Sequence, residues 1–203
     1  MDSILQFDWN ILTWLESNWN IGNNPILDGF FKIITTLGDG GAIWLITGGV
    51  LLFFKKLRPW GAAVILGVAF SGLLNEFILK PIVDRPRPFD FDWPLWASKE
   101  FFFPDIISRP HSLAFPSGHT GASIAAATAM WFINDKKIRL AIAIPGTILA
   151  LLISFSRIYL HVHFPTDIIG GIVAGIAYGL LAVLAVKGLM KLIRKRNPNT
   201  NLF

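Results

Sequence analysis

The sequence predicts an all-α, polytopic membrane protein, with six transmembrane helices in one bundle and an amphipathic helix at the N-terminus. Three observations predict it. Hydrophobic residues fill 53% of the 203 positions and charged residues only 15%, where a soluble domain carries roughly 25% charged residues. The mean hydropathy is +0.56. The apolar residues also gather into runs approaching the roughly 20 residues that a hydrocarbon core about 30 Å thick requires.

The same composition excludes other classes. With 17 Phe and 8 Trp, the chain carries too much apolar mass for disorder. The net charge of +5 does not point to nucleic acid as a partner, because the basic residues punctuate apolar runs instead of forming one stripe. Cysteine is absent, which removes disulfides, thiol nucleophiles and cysteine-based metal sites together.

Residues 1–24 do not read as a secretory leader, since they lack a basic start and Asp2, Asp8 and Glu16 interrupt any apolar core. Ile4, Phe7, Ile11, Leu12, Leu15 and Trp19 recur at helical spacing and predict an interfacial helix. The run 25–37 is short and interrupted by Asp28 and Lys32, which suits a tilted or partly interfacial span. The other runs are 41–54, 60–79, 118–133, 140–155 and 166–186. Gly171, Gly175 and Gly179, like Gly118, Ala122 and Ala126, repeat every fourth position and predict close helix packing. No linker, charge block or repeat divides residues 1–203. They read as one integral-membrane domain with a core over about 25–187 and a basic cytoplasmic tail over 188–203.

Orientation follows the Lys and Arg residues. Lys55, Lys56 and Arg58, then Lys136, Lys137 and Arg139, then Lys187 to Arg196 fall on one side of a six-span chain. That side is expected to be cytoplasmic in a multi-pass cell (plasma) membrane protein. The connection 80–117 and the turn near 156–166 then face outward.

Membrane proteins seldom keep ionisable side chains at helix ends without a use for them. Three clusters converge on the outward face: Lys80 to Arg87-Pro88, Pro116-Ser117-Gly118-His119, and Ser156-Arg157 through His163 to Asp167. Lys80, Arg87 and Arg157 offer three cations, two of them guanidinium forks suited to tetrahedral oxyanions. Ser117, Gly118 and His119 open a helix, where free N–H groups favour an anion. Together they describe a phosphate cradle. Asp167 lies four residues after His163, so it can orient one imidazole nitrogen and leave the other as a nucleophile. His119 can protonate a leaving oxygen and then activate water.

Lys80 to Pro88 fits KxxxxxxRP, Pro116 to His119 is PSGH, and Ser156 to Asp167 fits SRxxxxxHxxxD. These three motifs, in this order and over about residues 25–187, resemble the type 2 phosphatidic acid phosphatase superfamily. The resemblance implies a phosphohistidine intermediate on His163, oriented by Asp167, with His119 as general acid and then base. It implies that Lys80, Arg87, Ser117, Gly118 and Arg157 bind the phosphoryl oxygens. It also implies no cofactor and no metal, the fixed cations standing where Mg²⁺ often serves in phosphoryl transfer. Within the family the chain is similar to compact bacterial enzymes that release phosphate from phosphatidylglycerophosphate. Undecaprenyl pyrophosphate and other lipid (pyro)phosphates are alternative substrates. The partners expected are the bilayer and the lipid phosphate, with no protein partner.

Other residues carry smaller expectations. His161 lies six positions before Asp167 and reads as pocket-lining or structural, and His111 as a loop residue. Glu76 is placed to hold Lys80, or is a simple interfacial acid, and Asp84 to pair with Lys80 or Arg85. The aromatic loop 89–114 reads as a headgroup-level belt, a lateral lid, or both. A transporter is the competing class, but Ala141 to Ile153 and Ile172 to Val186 contain no charge to carry an ion path.

Overall fold

The computed structural model describes residues 2–92 and 104–197. Among these every regular element is helical: α1 (Asp2–Trp19), α2 (Pro25–Leu37), α3 (Ala42–Phe53), α4 (Arg58–Leu74), α5 (Lys80–Val83), α6 (Gly118–Met130), α7 (Lys136–Tyr159) and α8 (Pro165–Arg196). Local chemistry sets the boundaries. Asn24 caps α2 by accepting from Leu27 N, with Pro25 opening the helix. Ser117 and Asp135 cap α6 and α7 in the same way. Between α2 and α3 the chain turns through Gly40 (φ 58°) and Gly41 (φ 72°), a left-handed pair that a side chain would strain. A π-helical turn, Asn75–Leu79, joins α4 to α5.

All six apolar runs are helical, but they do not all have the length of a crossing. Three helical stretches are long and apolar enough to cross a membrane: Arg58–Asp90, Lys136–Tyr159 and Pro165–Arg196. The stretches Pro25–Leu37 and Asp39–Phe53 are bent by 45° and make a fourth only if the pair is one broken span. Helix α2 has 13 residues and α3 has 12, or about 20 Å each at about 1.5 Å per residue, short of a hydrocarbon core. Helix α6, also 13 residues, is almost wholly buried.

Helix α1 forms as expected, but its apolar stripe is not a single membrane-facing surface. Ile4 and Phe7 are exposed, whereas Leu12, Leu15 and the carboxylate of Asp8 are buried. The helix packs against α7 and α8. Trp19 at its end meets the rings of Phe31, Phe155 and Tyr159.

Helix α6 lies at the centre, against α4, α7 and α8. Trp44, Val64, Ala126, Ala143, Ala150 and Ile153 fill the core beside it, and Trp44 Nε1 donates to Ser123 Oγ at 2.8 Å. The glycine stripe of α8 lets it approach α6. A Cβ on Gly175 would lie 2.7 Å from Gly121 O and 2.8 Å from Ile124 Cβ. Gly175→Val is therefore expected to cost about 1–3 kcal/mol by overpacking, read as a lower Tm in detergent. Gly49→Ala, where nothing lies within 4 Å, should leave Tm unchanged.

Exposed Ile144, Ile148 and Leu151 on α7, with Val173, Leu180 and Leu184 on α8, present an apolar outer surface. The ends of the bundle differ. Lys56, Trp60, Asp135, Lys187 and Arg194 share a cleft at one end. The KxxxxxxRP, PSGH and SRxxxxxHxxxD segments meet at the other, because α4, α7 and α8 each run from one group to the other.

Candidate active site

At that second end lies a cavity of about 630 Å³. Six of the eight residues singled out from the sequence line it: Lys80, Arg87, Gly118, His119, Arg157 and His163. The start of α5 supplies Lys80, the start of α6 Gly118 and His119, and the last turn of α7 Arg157. His163 sits in the turn between α7 and α8. A Cβ on Gly118 would meet only Glu76 Oε1, at 3.9 Å, so the glycine leaves this stretch of wall open.

Ser117 and Asp167 stand behind the wall. Ser117 is fully buried. Its Oγ accepts from Thr120 N at 3.4 Å and from Thr120 Oγ1 at 3.1 Å, and its N–H donates to Asp167 O at 3.2 Å. Its Oγ caps α6 and its N–H reaches the first turn of α8, and the residue is not among those lining the cavity. Asp167 Oδ2 faces His163 Nδ1 at 3.3 Å and accepts from Phe164 N at 2.8 Å. With the proton on Nδ1, His163 Nε2 is the acceptor, and it lies 3.2 Å from Arg87 Nη1. Burial, with the charges of Arg87 and Arg157 adding to it, holds the His163 imidazole well below its ordinary 6.5. The ring therefore stays neutral.

Each cation is held by partners that the sequence reading did not name, apart from Glu76. Lys80 Nζ pairs with Glu76 and donates to Ser112 Oγ at 3.0 Å. Arg87 donates to Ser112 O and Val162 O, both at 2.7 Å, and to Ser112 Oγ at 3.1 Å. Arg157 Nη1 donates to Thr35 Oγ1 on α2.

Arg85, one of the two partners expected for Asp84, pairs instead with Asp8 Oδ2 and Asp167 Oδ1, each at 2.7 Å. Its guanidinium carbon lies 3.7 Å from the centre of the Phe164 ring. Asp8 in turn accepts from Thr166 N at 3.0 Å and Thr166 Oγ1 at 2.7 Å. The N-terminal helix is thereby tied to the carboxylate behind His163. Asp84 instead ends α5 in a left-handed turn. The pairing of Glu76 at i−4 from Lys80 was legible; that of Asp8, 77 residues from Arg85, had no local signal.

His161 is fully buried in a turn at φ 54° and is not among the residues lining the cavity. Of the loop 89–114, Ile107–Pro110 and Ser112 form one wall. Trp93, Trp96, Phe101, Phe102 and Phe103 lie outside the described residues, so the belt and lid readings of that loop stay as they were. Among the described residues, no three His, Asp or Glu side chains are grouped as a metal ion would need.

Such an arrangement can bind a tetrahedral anion against three cations, with a neutral imidazole on one side and a second histidine at hand. Comparisons with known proteins agree with this chemistry. The model of the PAP2 superfamily matches residues 60–191. An undecaprenyl-diphosphatase of Sulfolobus acidocaldarius is 28% identical over 164 residues, which is 81% of this chain and 73% of that protein. Phosphatidylglycerophosphatase B of Bacillus subtilis is 30% identical over 180 residues, 84% of this chain and 79% of that one. The crystal structure of a transmembrane PAP2-type phosphatidylglycerolphosphate phosphatase from Bacillus subtilis matches with a TM-score of 0.69 and 26% identity. It covers 95% of this chain and 89% of that one. The resemblance read from the three motifs is borne out, and the chain is a membrane protein.

Proposed function

We propose that this chain, which belongs to the PAP2 superfamily, hydrolyses phosphatidylglycerophosphate to phosphatidylglycerol and phosphate without a metal, at the extracytoplasmic face of the cell membrane. One observation carries the phosphatase reading. A buried, neutral His163 backed by Asp167 meets His119 in one cavity with Lys80, Arg87 and Arg157.

The lone pair of His163 Nε2 attacks phosphorus while the bond to the leaving oxygen breaks, and that oxygen takes a proton from His119. A water then gives its proton to His119 and its oxygen to phosphorus. The N–P bond breaks back onto His163 and phosphate departs. Lys80, Arg87 and Arg157 neutralise the charge that spreads over the equatorial oxygens, and Gly118 leaves room for them.

The choice of substrate is supported by the likeness over most of both chains to the Bacillus phosphatidylglycerophosphatase B. The likeness to an undecaprenyl-diphosphatase supports a second reading, a lipid diphosphate phosphatase. The outward face is supported by the gathering of Lys56, Lys187 and Arg194 at the other end of the bundle.

The test is phosphate release by detergent-purified protein from phosphatidylglycerophosphate, phosphatidic acid, diacylglycerol pyrophosphate and undecaprenyl pyrophosphate, with and without EDTA. The expected result is release that EDTA does not slow, with the highest kcat/KM on phosphatidylglycerophosphate. Release that stops with chelation would overturn the metal-free mechanism, and no release from any lipid would overturn the phosphatase reading.

A further inference from the structure

Three charged side chains that line the cavity, Asp39, Glu76 and Arg109, have no part in the reaction above. Glu76 pairs with Lys80, whereas Asp39 lies against His119. Asp39 lines the wall, and its Oδ1 lies 2.9 Å from His119 Nε2. Its side chain is 62% exposed, so it stands where the cavity opens to solvent. A carboxylate contributes nothing to holding phosphate oxygens and repels them.

The local structure is built to put it there. Gly38, just before it, has no room for a Cβ, which would lie 2.8 Å from Ile153 Cγ2 and 2.9 Å from His119 Cδ2. The absence of a side chain at 38 lets the His119 ring lie against the bend between α2 and α3. Gly40 and Gly41 then take left-handed backbone to carry the chain onward. One helical turn earlier, Thr35 of α2 accepts from Arg157. Thr35 at the end of α2 and Asp39 in the bend after it therefore touch Arg157 of the phosphate cradle and His119 respectively.

Resting on the phosphatase reading above, we propose that Asp39 selects the leaving group, favouring lipid phosphomonoesters over lipid diphosphates. The leaving oxygen must reach His119 Nε2, the position that Asp39 Oδ1 occupies at rest. Whatever is bonded to that oxygen therefore has the Asp39 carboxylate as a charged neighbour. In a phosphomonoester the oxygen leaves as an uncharged alcohol, and any hydroxyl it carries can donate to the carboxylate. In a diphosphate it leaves as a phosphate ester bearing negative charge, and that charge is brought against Asp39 as the bond breaks. Like charges at this range disfavour the second course in the transition state. The same carboxylate also stabilises the protonated form of His119, which helps the basic alcohol leave more than the phosphate ester. An effect through His119 alone would therefore show as a fall in the monoester rate, whereas the proposal requires a rise in the diphosphate rate.

The experiment compares the full-length protein with Asp39→Asn on two lipids that share one tail, phosphatidic acid and diacylglycerol pyrophosphate, by initial rates of phosphate release in mixed micelles. The substitution keeps the size of the side chain at an exposed position, and an unchanged Tm shows that the fold is intact. Asp39→Asn is expected to raise kcat/KM for the diphosphate relative to the monoester on the order of tenfold, the scale of one partly screened charge. Asp39→Glu, which restores the charge, should return the ratio toward that of the wild type. An unchanged ratio in Asp39→Asn, or one changed only because the monoester rate falls, would overturn the proposal, the second outcome leaving Asp39 acting through His119 alone. Wild-type protein inactive on both lipids, and also on phosphatidylglycerophosphate and undecaprenyl pyrophosphate, would overturn the phosphatase reading itself, which separates the two failures. Where only the latter two are cleaved, the same change in ratio is read on them.

Discussion

His163→Ala is expected to abolish phosphate release, lowering kcat by at least about 10⁴-fold, the scale of removing a nucleophile, in a protein that still folds. The expectation rests on Nε2 lying among the cations of the cavity, 3.2 Å from Arg87 Nη1, in a ring whose Nδ1 faces Asp167 at 3.3 Å. His161→Ala is the informative companion. That ring is just as buried but is not among the residues lining the cavity, so substantial activity should survive. Equal loss in both variants would remove the basis for placing the attack on His163. The pH profile gives a second readout. Because burial and the neighbouring cations hold His163 well below 6.5, its nucleophilic form persists as pH falls through that value. The acid limb of kcat due to this group should therefore lie below 6.5. A limb at 6.5 that belongs to His163 would contradict the buried, neutral ring.

Arg85→Ala should produce the largest loss of stability together with a loss of rate. Arg85 is shared by Asp8 and Asp167, both fully buried, and its removal leaves two carboxylates facing each other without a cation. Breaking a buried pair in this way costs about 3–5 kcal/mol. Asp167 would also lose the partner that fixes its Oδ1, and with it the orientation of Oδ2 toward His163. Misplacement by about 1 Å can cost about 10²-fold in rate. The expected pattern in the folded fraction is a kcat lower by about that factor with KM little changed, because Arg85 is not among the residues lining the cavity. Adding Asp8→Asn to Arg85→Ala should restore part of the stability by removing one charge, but not the rate. A folded Arg85→Ala protein with wild-type kcat would show that Asp167 needs no such support.

Much of the candidate site was legible because its residues come in short motifs with fixed spacing. Lys80 and Arg87, Gly118 and His119, and Arg157 and His163 reach one cavity from three stretches of chain. Helical spacing offered the pairing of Glu76 with Lys80 as one of two readings, and the structure makes it. Ser117 shows the limit of a motif, since its residue type suits both a phosphate and a helix cap, and the cap takes its hydroxyl. The bundle packing of α8 on α6 was likewise visible in the glycine stripe. The number of crossings was not. Hydropathy measures the length of an apolar run, and runs 25–37 and 41–54 are alike in that measure whether they are two spans or one bent at Gly40 and Gly41.

Composition and pattern thus settle that the chain is helical, lives in a membrane and gathers cations and two histidines at one end. They leave open which acid meets which base. Asp8 reads in the sequence as an interruption of an apolar stretch and Asp39 carries no signal there, yet one sits behind Asp167 through Arg85 and the other against His119. Thr35 reads as an ordinary helix residue and holds Arg157. The reason is physical. Electrostatic and hydrogen-bonding partners are chosen within a few ångströms and after water is excluded, so a buried charge takes whichever opposite group packing brings to it. The groups concerned stand 77 and 80 residues apart in the pairs Asp8–Arg85 and Asp39–His119. No periodicity spans that separation, and only the folding of α1 and α2 onto the ends of α5, α6 and α7 brings them together.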